Sequence, residues 1–480
     1  MRRSGVLLLA GALACGLAPA AARGADAPPP PLVLQAPALV DGVRTVDVDG
    51  DRVVDLVLSS GREVRVWRGG TLAAAPTWTF AVPPEATFVT VHGAGAAARG
   101  KGPTLLAIAG ERVLRLAPGQ PAVALEGVSA AVPWTDHRRA TMSDFAPQGG
   151  LLLPTASGFR WIPDLEGAPG RAFDIEAPPA RRVQPAGPFL EDSGVAIATW
   201  PSPWFGTAEP TNGSGAAVWI ASDDALRSFR VVEGTVEARA IPSSFLPREN
   251  WQRTVLEDLD ADGAPDLAHE ASTNDSGTYV YFHTPCVEEG DDLRPPRATI
   301  RLRGFQIPPE YTDLDGDGRP DVVITSIDID GSNVIAAISR GRVVARTRAF
   351  LNRSERSKEW FPATPDAEVE SEIGVRILFT YAGAIDVKRS FTILPTADLD
   401  GDGRKDLVIR TGDDRLAVRL GRAEGVWSKE ATTIAIPAVG RSPDVEGRAA
   451  DLTGDRRDDI VLLYRAGPGE TDRVVVVTGR

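Results

Sequence analysis

The sequence predicts an all-β protein, a single β-propeller of seven or eight four-stranded blades. Three observations predict it. An acidic nine-residue pattern recurs five times, a short apolar run follows each copy, and the commonest interval between repeats is about 50 residues, the length of a four-stranded blade.

The pattern carries aspartate at positions 1, 3, 5 and 9. It occurs as Asp47, Asp49, Asp51 and Asp55; as Asp258, Asp260, Asp262 and Asp266; as Asp313, Asp315, Asp317 and Asp321; and as Asp398, Asp400, Asp402 and Asp406. A fifth copy has Asp451, Asp455 and Asp459, with Thr453 at position 3. Glycine stands at position 4, position 6 or both in every copy. Weaker copies near 96, 144 and 190 keep the frame without the acids, which brings the repeat starts to eight: 47, 96, 144, 190, 258, 313, 398 and 451. The long interval between 313 and 398 is expected to hold an insertion around 349–372.

The strands follow from the runs between these turns. Residues 56–58, 322–324, 407–409 and 460–462 are continuously apolar, as in a strand covered on both faces. The next run alternates, at 63–67, 112–116 and 415–420, as in a strand with one face less covered. The 48 glycines and 39 prolines punctuate the chain at short intervals. Residues 32–35 are expected to add an outer strand to the last blade, at 473–478, and so close a ring spanning 32–480.

The acidic turns suit calcium. This hard cation takes six to eight oxygen ligands at about 2.3–2.6 Å. Aspartates at positions 1, 3 and 5 of a tight loop can turn inward together, and glycine lets the backbone curl with positive φ. The carbonyl of position 7 adds a neutral oxygen, from Val53, Ala264, Arg319, Arg404 and Arg457, and the position-9 aspartate completes the set. Without a cation, four carboxylates this close repel. The expectation is four or five bound calcium ions. An EF-hand needs an acid at position 12, where this chain has Leu58, His269, Ile324, Ile409 and Leu462. A solvated turn rich in Asp and Gly would explain one such cluster but not five in one frame.

The repeats resemble the FG-GAP/VCBS family, which also forms the propeller head of integrin α chains. The resemblance spans roughly residues 40–480 and rests on the five acidic motifs. It implies adhesion, ligand binding or protein interaction.

The N-terminus reads as an export signal over 1–22. Arg2 and Arg3 are its charged start, residues 5–16 its apolar core and residues 20–22 its small-residue cleavage site. A Pro-rich linker follows at 23–31. Cys15 is either part of that apolar core or the lipid anchor of a loose lipobox. The expected location is therefore periplasmic, outer-surface or secreted. No run reaches about 18 apolar residues, so no transmembrane segment is expected. A formal net charge of −13 without a basic cluster argues against a nucleic-acid partner.

Catalytic motifs are sparse. His92, His137, His269 and His283 form no metal-ligand pair, and there is no GxSxG, P-loop or GxGxxG. Trp200, Trp204 and Phe205, followed by a polar stretch at 211–215, read either as a long loop offering aromatics to a protein or carbohydrate ligand or as side chains packed over a blade edge. The favoured reading is a non-enzymatic binding or scaffold module. The alternatives are a calcium-stabilised, glycan-active enzyme and a purely structural envelope protein.

Overall fold

Apolar runs of β-branched residues, cut every few residues by Gly, Pro and Asp, leave the chain little choice but short strands. In the computed structural model the described elements are β-strands. It describes residues 30–86, 88–92, 103–129, 309–327, 341–354, 360–379, 393–438, 445–465 and 471–479, with further strands within 141–306 and at 385–389. Residues from Pro31 onward form one compact unit. Among the described residues no helix is long and apolar enough to cross a membrane.

The strands form small up-and-down sheets. In the 42–81 sheet, Gly42–Val46, Asp55–Ser60, Glu63–Trp67 and Trp78–Ala81 pair in sequence order, all antiparallel. The same order recurs in sheets spanning 203–242, 251–303 and 393–435, and in the 88–129 sheet, to which Thr141–Met142 adds a fifth strand parallel to Phe88–His92. A 151–176 sheet has three strands and a 180–199 sheet has two. In the last sheet Val445–Ala450, Asp459–Tyr464 and Arg473–Val477 are joined by Leu32–Leu34, which pairs antiparallel with Arg473–Val477 through Leu32 opposite Val476. The two ends of the described chain thus share one sheet, as the apolar 32–35 segment leads one to expect.

Burial follows the sequence pattern. Asp55–Ser60, Asp321–Ile327, Asp406–Gly412 and Asp459–Tyr464 are buried along most or all of their length, because both faces are covered. The strand after is covered on alternate residues in Arg415–Arg419 and along most of Arg342–Phe350, whereas Arg473–Val477 is buried at all but its first residue. Fourth strands such as Trp78–Ala81 and Thr432–Ala435 bury one residue each. Coverage comes from the neighbouring sheet, since separate apolar clusters fill each seam. One joins the 42–81 and 88–129 sheets, one the 251–303 sheet to Val322, Ile324 and Phe350, and one the 393–435 and 445–477 sheets. Two more join the sheet of 310–373 to Leu407 and Ile409, and the last sheet to Val43, Leu56, Leu58 and Trp67. The 151–176 and 203–242 sheets share a further cluster around Phe159 and Phe229.

Three expectations change. Residues 349–372 are not a separate insertion: they hold the end of Arg342–Phe350 and the start of the long strand Ala367–Phe379, and the extra chain is the continuation of that strand with its partner Ile385–Arg389. The interval exceeds one blade because Ala367–Phe379 runs to 13 residues and pairs with both Arg342–Phe350 and Ile385–Arg389. The repeat expected near 190 leads into Ala196–Thr199, whose pairing is with Ala180–Val183, and the following four-stranded sheet starts only at Pro203. Trp204 and Phe205 lie in the strand Pro203–Thr207, with Trp204 opposite Trp219, and not in a long loop; Trp200 and the 211–215 stretch lie outside the described residues. The weak repeat starts at 96, 144 and 190, the export signal with Cys15, and Cys286 also lie outside them.

Candidate metal centres

The acidic turns are built by one backbone scaffold. The position-1 carboxylate accepts from the N–H groups of positions 4 and 6: Asp47 from Gly50 and Arg52 (2.7 and 2.9 Å), Asp313 from Gly316 and Gly318 (2.8 Å each), Asp398 from Gly401 and Gly403 (2.8 and 3.0 Å), and Asp451 from Gly454 and Arg456 (2.6 and 2.9 Å). The position-5 carboxylate accepts from the N–H of position 7, which is Val53, Arg319, Arg404 or Arg457, at 2.9–3.0 Å. These bonds curl the loop around its own acids. The curl needs positive φ at positions 4 and 6, from 69° to 88° across these four loops, and Arg52 and Arg456 adopt it as glycine does. Ala261, at position 4 of the 258–266 loop, has φ 59°.

The position-9 aspartate anchors each loop to its sheet. Asp55, Asp266, Asp321, Asp406 and Asp459 are at most 2% exposed. One oxygen of each accepts from the N–H of position 2 (Val48, Leu259, Leu314, Leu399 and Leu452) at 2.8–2.9 Å. In four loops the other oxygen accepts from a residue just past the sheet's next long strand, namely Gly69, Asn352, Gly421 or Gly479, at 2.7–2.9 Å. Glycine serves here by close approach: a Cβ on Gly69, Gly421 or Gly479 would lie 2.4–2.9 Å from the loop opposite. Asn352 instead sends its side-chain amide to the carbonyl of Pro320, at position 8. Burial pushes the carboxyls of Asp55, Asp406 and Asp459 up to about 6 and that of Asp321 up to about 7, against the downward pull of these N–H groups.

Four loops bring three carboxylates together, each offering an oxygen within 4.8 Å of the others. They are Asp47, Asp49 and Asp55; Asp258, Asp260 and Asp266; Asp313, Asp315 and Asp321; and Asp398, Asp400 and Asp402. Such all-oxygen, all-carboxylate sets can hold a metal ion, and their hardness is compatible with calcium. Position 9 belongs to the set in three loops and position 5 in the fourth. Asp451, Asp455 and Asp459 are not among these sets, because Thr453 supplies no carboxylate at position 3 although the scaffold is intact. Asp262 and Ala264 lie outside the described residues.

Sequence reasoning missed two features. Position 2 is apolar in all five copies, and these side chains, Val48, Leu259, Leu314, Leu399 and Leu452, sit buried in the seams between sheets. That signal was present in the motif. The contacts between successive loops left no such signal. Lys405 N donates to Leu314 O (3.1 Å), Asp458 N to Asp398 O (2.6 Å), and Gly70 N to Leu452 O (2.8 Å). A Cβ on Gly316 would stand 3.3 Å from Gly403 O, and one on Gly401 3.1 Å from Arg456 O. The loops at 313, 398 and 451 therefore stack in sequence order, and the 451–459 loop meets the 42–81 sheet.

Comparison with known proteins gives a repeat family. Residues 398–462, two of the acidic turns and the sheet between them, match the family described as FG-GAP-like repeat. No curated protein matches the chain. Among solved structures, the Photorhabdus luminescens Tc holotoxin pore is 12% identical over 90% of this chain and 16% of its own, with a TM-score of 0.31, so the chain spans about a sixth of its length. A mutant of AofleA from Arthrobotrys oligospora is 12% identical over 74% of this chain and 89% of its own (TM-score 0.26). The polysaccharide lyase Uly1 is 12% identical over 78% of this chain and 87% of its own (TM-score 0.30).

Proposed function

From the match of residues 398–462 to the FG-GAP-like repeat family we propose that the chain is a calcium-stabilised β-propeller that works outside the cytoplasm as a non-enzymatic binding or scaffold module. The observation that carries the reading is the convergence of three carboxylates in each of four loops built on one hydrogen-bond plan. On this reading, the seven sheets with four or more strands and the three-stranded 151–176 sheet among the described residues are blades, and Leu32–Leu34 adds the outer strand of the last of them. Asp47, Asp49, Asp51 and Asp55, and their counterparts at 258–266, 313–321 and 398–406, hold one calcium ion each; the carbonyls of Val53, Ala264, Arg319 and Arg404 complete the shells. The 451–459 loop, with Arg457 at position 7, is the weakest of the five. Bound calcium neutralises the crowded acids and fixes the turn that enters each buried strand.

Export rests on the Arg2–Arg3 start, the short apolar run and the alanines at 20–22. Rigid blades carrying loops at their ends suit recognition of a protein or carbohydrate partner. Melting the full chain with 5 mM calcium and with excess EDTA tests the metal, with a markedly lower melting temperature expected in EDTA; coincident curves overturn the calcium reading. A glycan array and capture of partners from the native envelope test recognition. Turnover of a uronic-acid polysaccharide, read as product absorbance, overturns the non-enzymatic reading.

A further inference from the structure

The five acidic turns share a scaffold but differ in what faces their free oxygens. In the 47–55 loop, Asp49 and Asp51 each give one oxygen to a loop N–H, at 3.1 and 2.9 Å. Their remaining oxygens both meet Arg68: Nε lies 2.8 Å from Asp49 Oδ2, and Nη2 donates to Asp51 Oδ2 at 2.8 Å. One guanidinium so contacts positions 3 and 5, of which Asp49 belongs to the convergent set of this loop.

Arg68 is placed there by the fold. It follows the strand Glu63–Trp67, its own N–H donates to Thr77 Oγ1 at 3.1 Å, and it directly precedes Gly69, whose N–H binds the position-9 carboxylate of Asp55. The same place in three other repeats, one residue before the N–H that caps position 9, holds Leu351, Leu420 and Thr478. None of these carries a charge. In the 313–321 and 398–406 loops, arginine reaches position 5 from position 7 of the loop itself, with Arg319 Nη2 2.5 Å from Asp317 and Arg404 Nη1 3.6 Å from Asp402.

We infer that Arg68 is a resident cation of the 47–55 loop. It holds the loop closed when divalent cation is scarce, and calcium must displace it to bind there. This inference rests on the calcium reading above and ranks three of its sites: the 47–55 loop fills after those at 313–321 and 398–406. The guanidinium fits its place because it donates to Asp51 through Nη2 while its delocalised charge lies 2.8 Å from Asp49 Oδ2, two contacts from one flat group that a point-like ammonium does not span. The first repeat is therefore ordered at both low and high calcium, and its partner across the chain ends, the 445–477 sheet, keeps a folded neighbour in either state.

Calorimetric titration of the EDTA-stripped full chain with calcium, as wild type and as Arg68→Met, tests this. The variant is expected to bind calcium at the 47–55 site on the order of tenfold more tightly, the equivalent of losing one charge-assisted contact, with the sites at 313–321 and 398–406 unchanged. Its melting temperature is expected to fall below wild type in EDTA and to regain or pass it in 5 mM calcium. Arg68→Lys keeps one charge without the bridge and is expected to fall between, which covers the case of poor folding by the methionine variant. Superimposable isotherms for wild type and both variants, with calcium bound by all, overturn the role of Arg68 and leave the calcium reading standing. No calcium uptake by any of them overturns both.

Discussion

At the scale of single residues, the aspartates of one motif have different work, although the sequence writes them alike. Position 9 is a structural acceptor first. Asp406 takes N–H groups from Leu399 and Gly421, and both are buried with it. Asp406→Ala leaves two buried donors without partners, at about 1–3 kcal/mol each, so a loss of about 2–6 kcal/mol is expected both with calcium and in EDTA. Asp400, at position 3, accepts from the N–H of Asp402 at 3.3 Å and lies in the convergent set. Asp400→Asn is expected to melt like wild type in EDTA and to lose part of the calcium-dependent gain. Denaturant unfolding of both variants in both buffers separates the roles; equal behaviour would refute the division. A second residue-level expectation concerns Arg456, held at φ 69° at position 6. A side chain there costs about 1–2 kcal/mol, partly offset by the greater unfolded freedom of glycine. Arg456→Gly is therefore expected to stabilise the chain by up to about 1 kcal/mol, and a lower melting midpoint would show that the arginine side chain contributes more than the strain removes.

At the scale of elements, the buried second strands at Asp55–Ser60, Asp321–Ile327, Asp406–Gly412 and Asp459–Tyr464 were legible because each carries an unbroken apolar run, and the third strands at Glu63–Trp67 and Arg415–Arg419 because they alternate. Fourth strands were harder to read, since Trp78–Ala81 and Thr432–Ala435 bury only Phe80 and Ile434 respectively. The acidic turns were legible as turns and as carboxylate clusters. Arg68 was not, because its partner acids are 17 and 19 residues back and only the sheet's return brings them together. The long pair Arg342–Phe350 and Ala367–Phe379 escaped because its outward face is charged. Arg348 meets Glu368 at 2.7 Å, Arg346 meets Glu370 at 3.3 Å and Arg342 meets Glu372 at 3.2 Å, while Val343, Ala345, Ala349, Val369 and Ile373 face the core. Each exposed pair is worth less than about 1 kcal/mol. Reversing one charge does more, since it sets like charges opposite each other. Glu370→Lys, facing Arg346 in the ladder, is expected to cost about 1 kcal/mol at low salt and clearly less in 1 M sodium chloride. A cost independent of salt would place Glu370 in a packing role instead.

At the scale of the whole molecule, the argument turns on how the first and last parts of the chain meet. Leu32–Leu34 pairs with Arg473–Val477, Val40 N donates to Asp472 Oδ2 at 2.8 Å, and Leu34, Val40 and Val43 share a cluster with Val461, Leu463, Val474 and Val476. The 451–459 loop reaches across the same seam through Gly70 N and Leu452 O. These contacts span more than 380 residues of sequence, so the chain-closure entropy they demand is already met by the intervening sheets once those have formed. They act like a clasp on an otherwise open stack, whose first and last sheets would each expose an apolar face. A chain beginning at residue 37 keeps Val40 and every acidic turn but lacks the strand Leu32–Leu34. It is expected to melt lower than one beginning at residue 23, by an amount that added calcium does not restore, because no acidic turn lies in the missing strand. Hydrogen exchange should then show the deficit concentrated in Arg473–Val477, the strand left as an open edge. Equal melting of the two chains, or a deficit that calcium erases, would mean that the acidic turns rather than the shared strand hold the ends together.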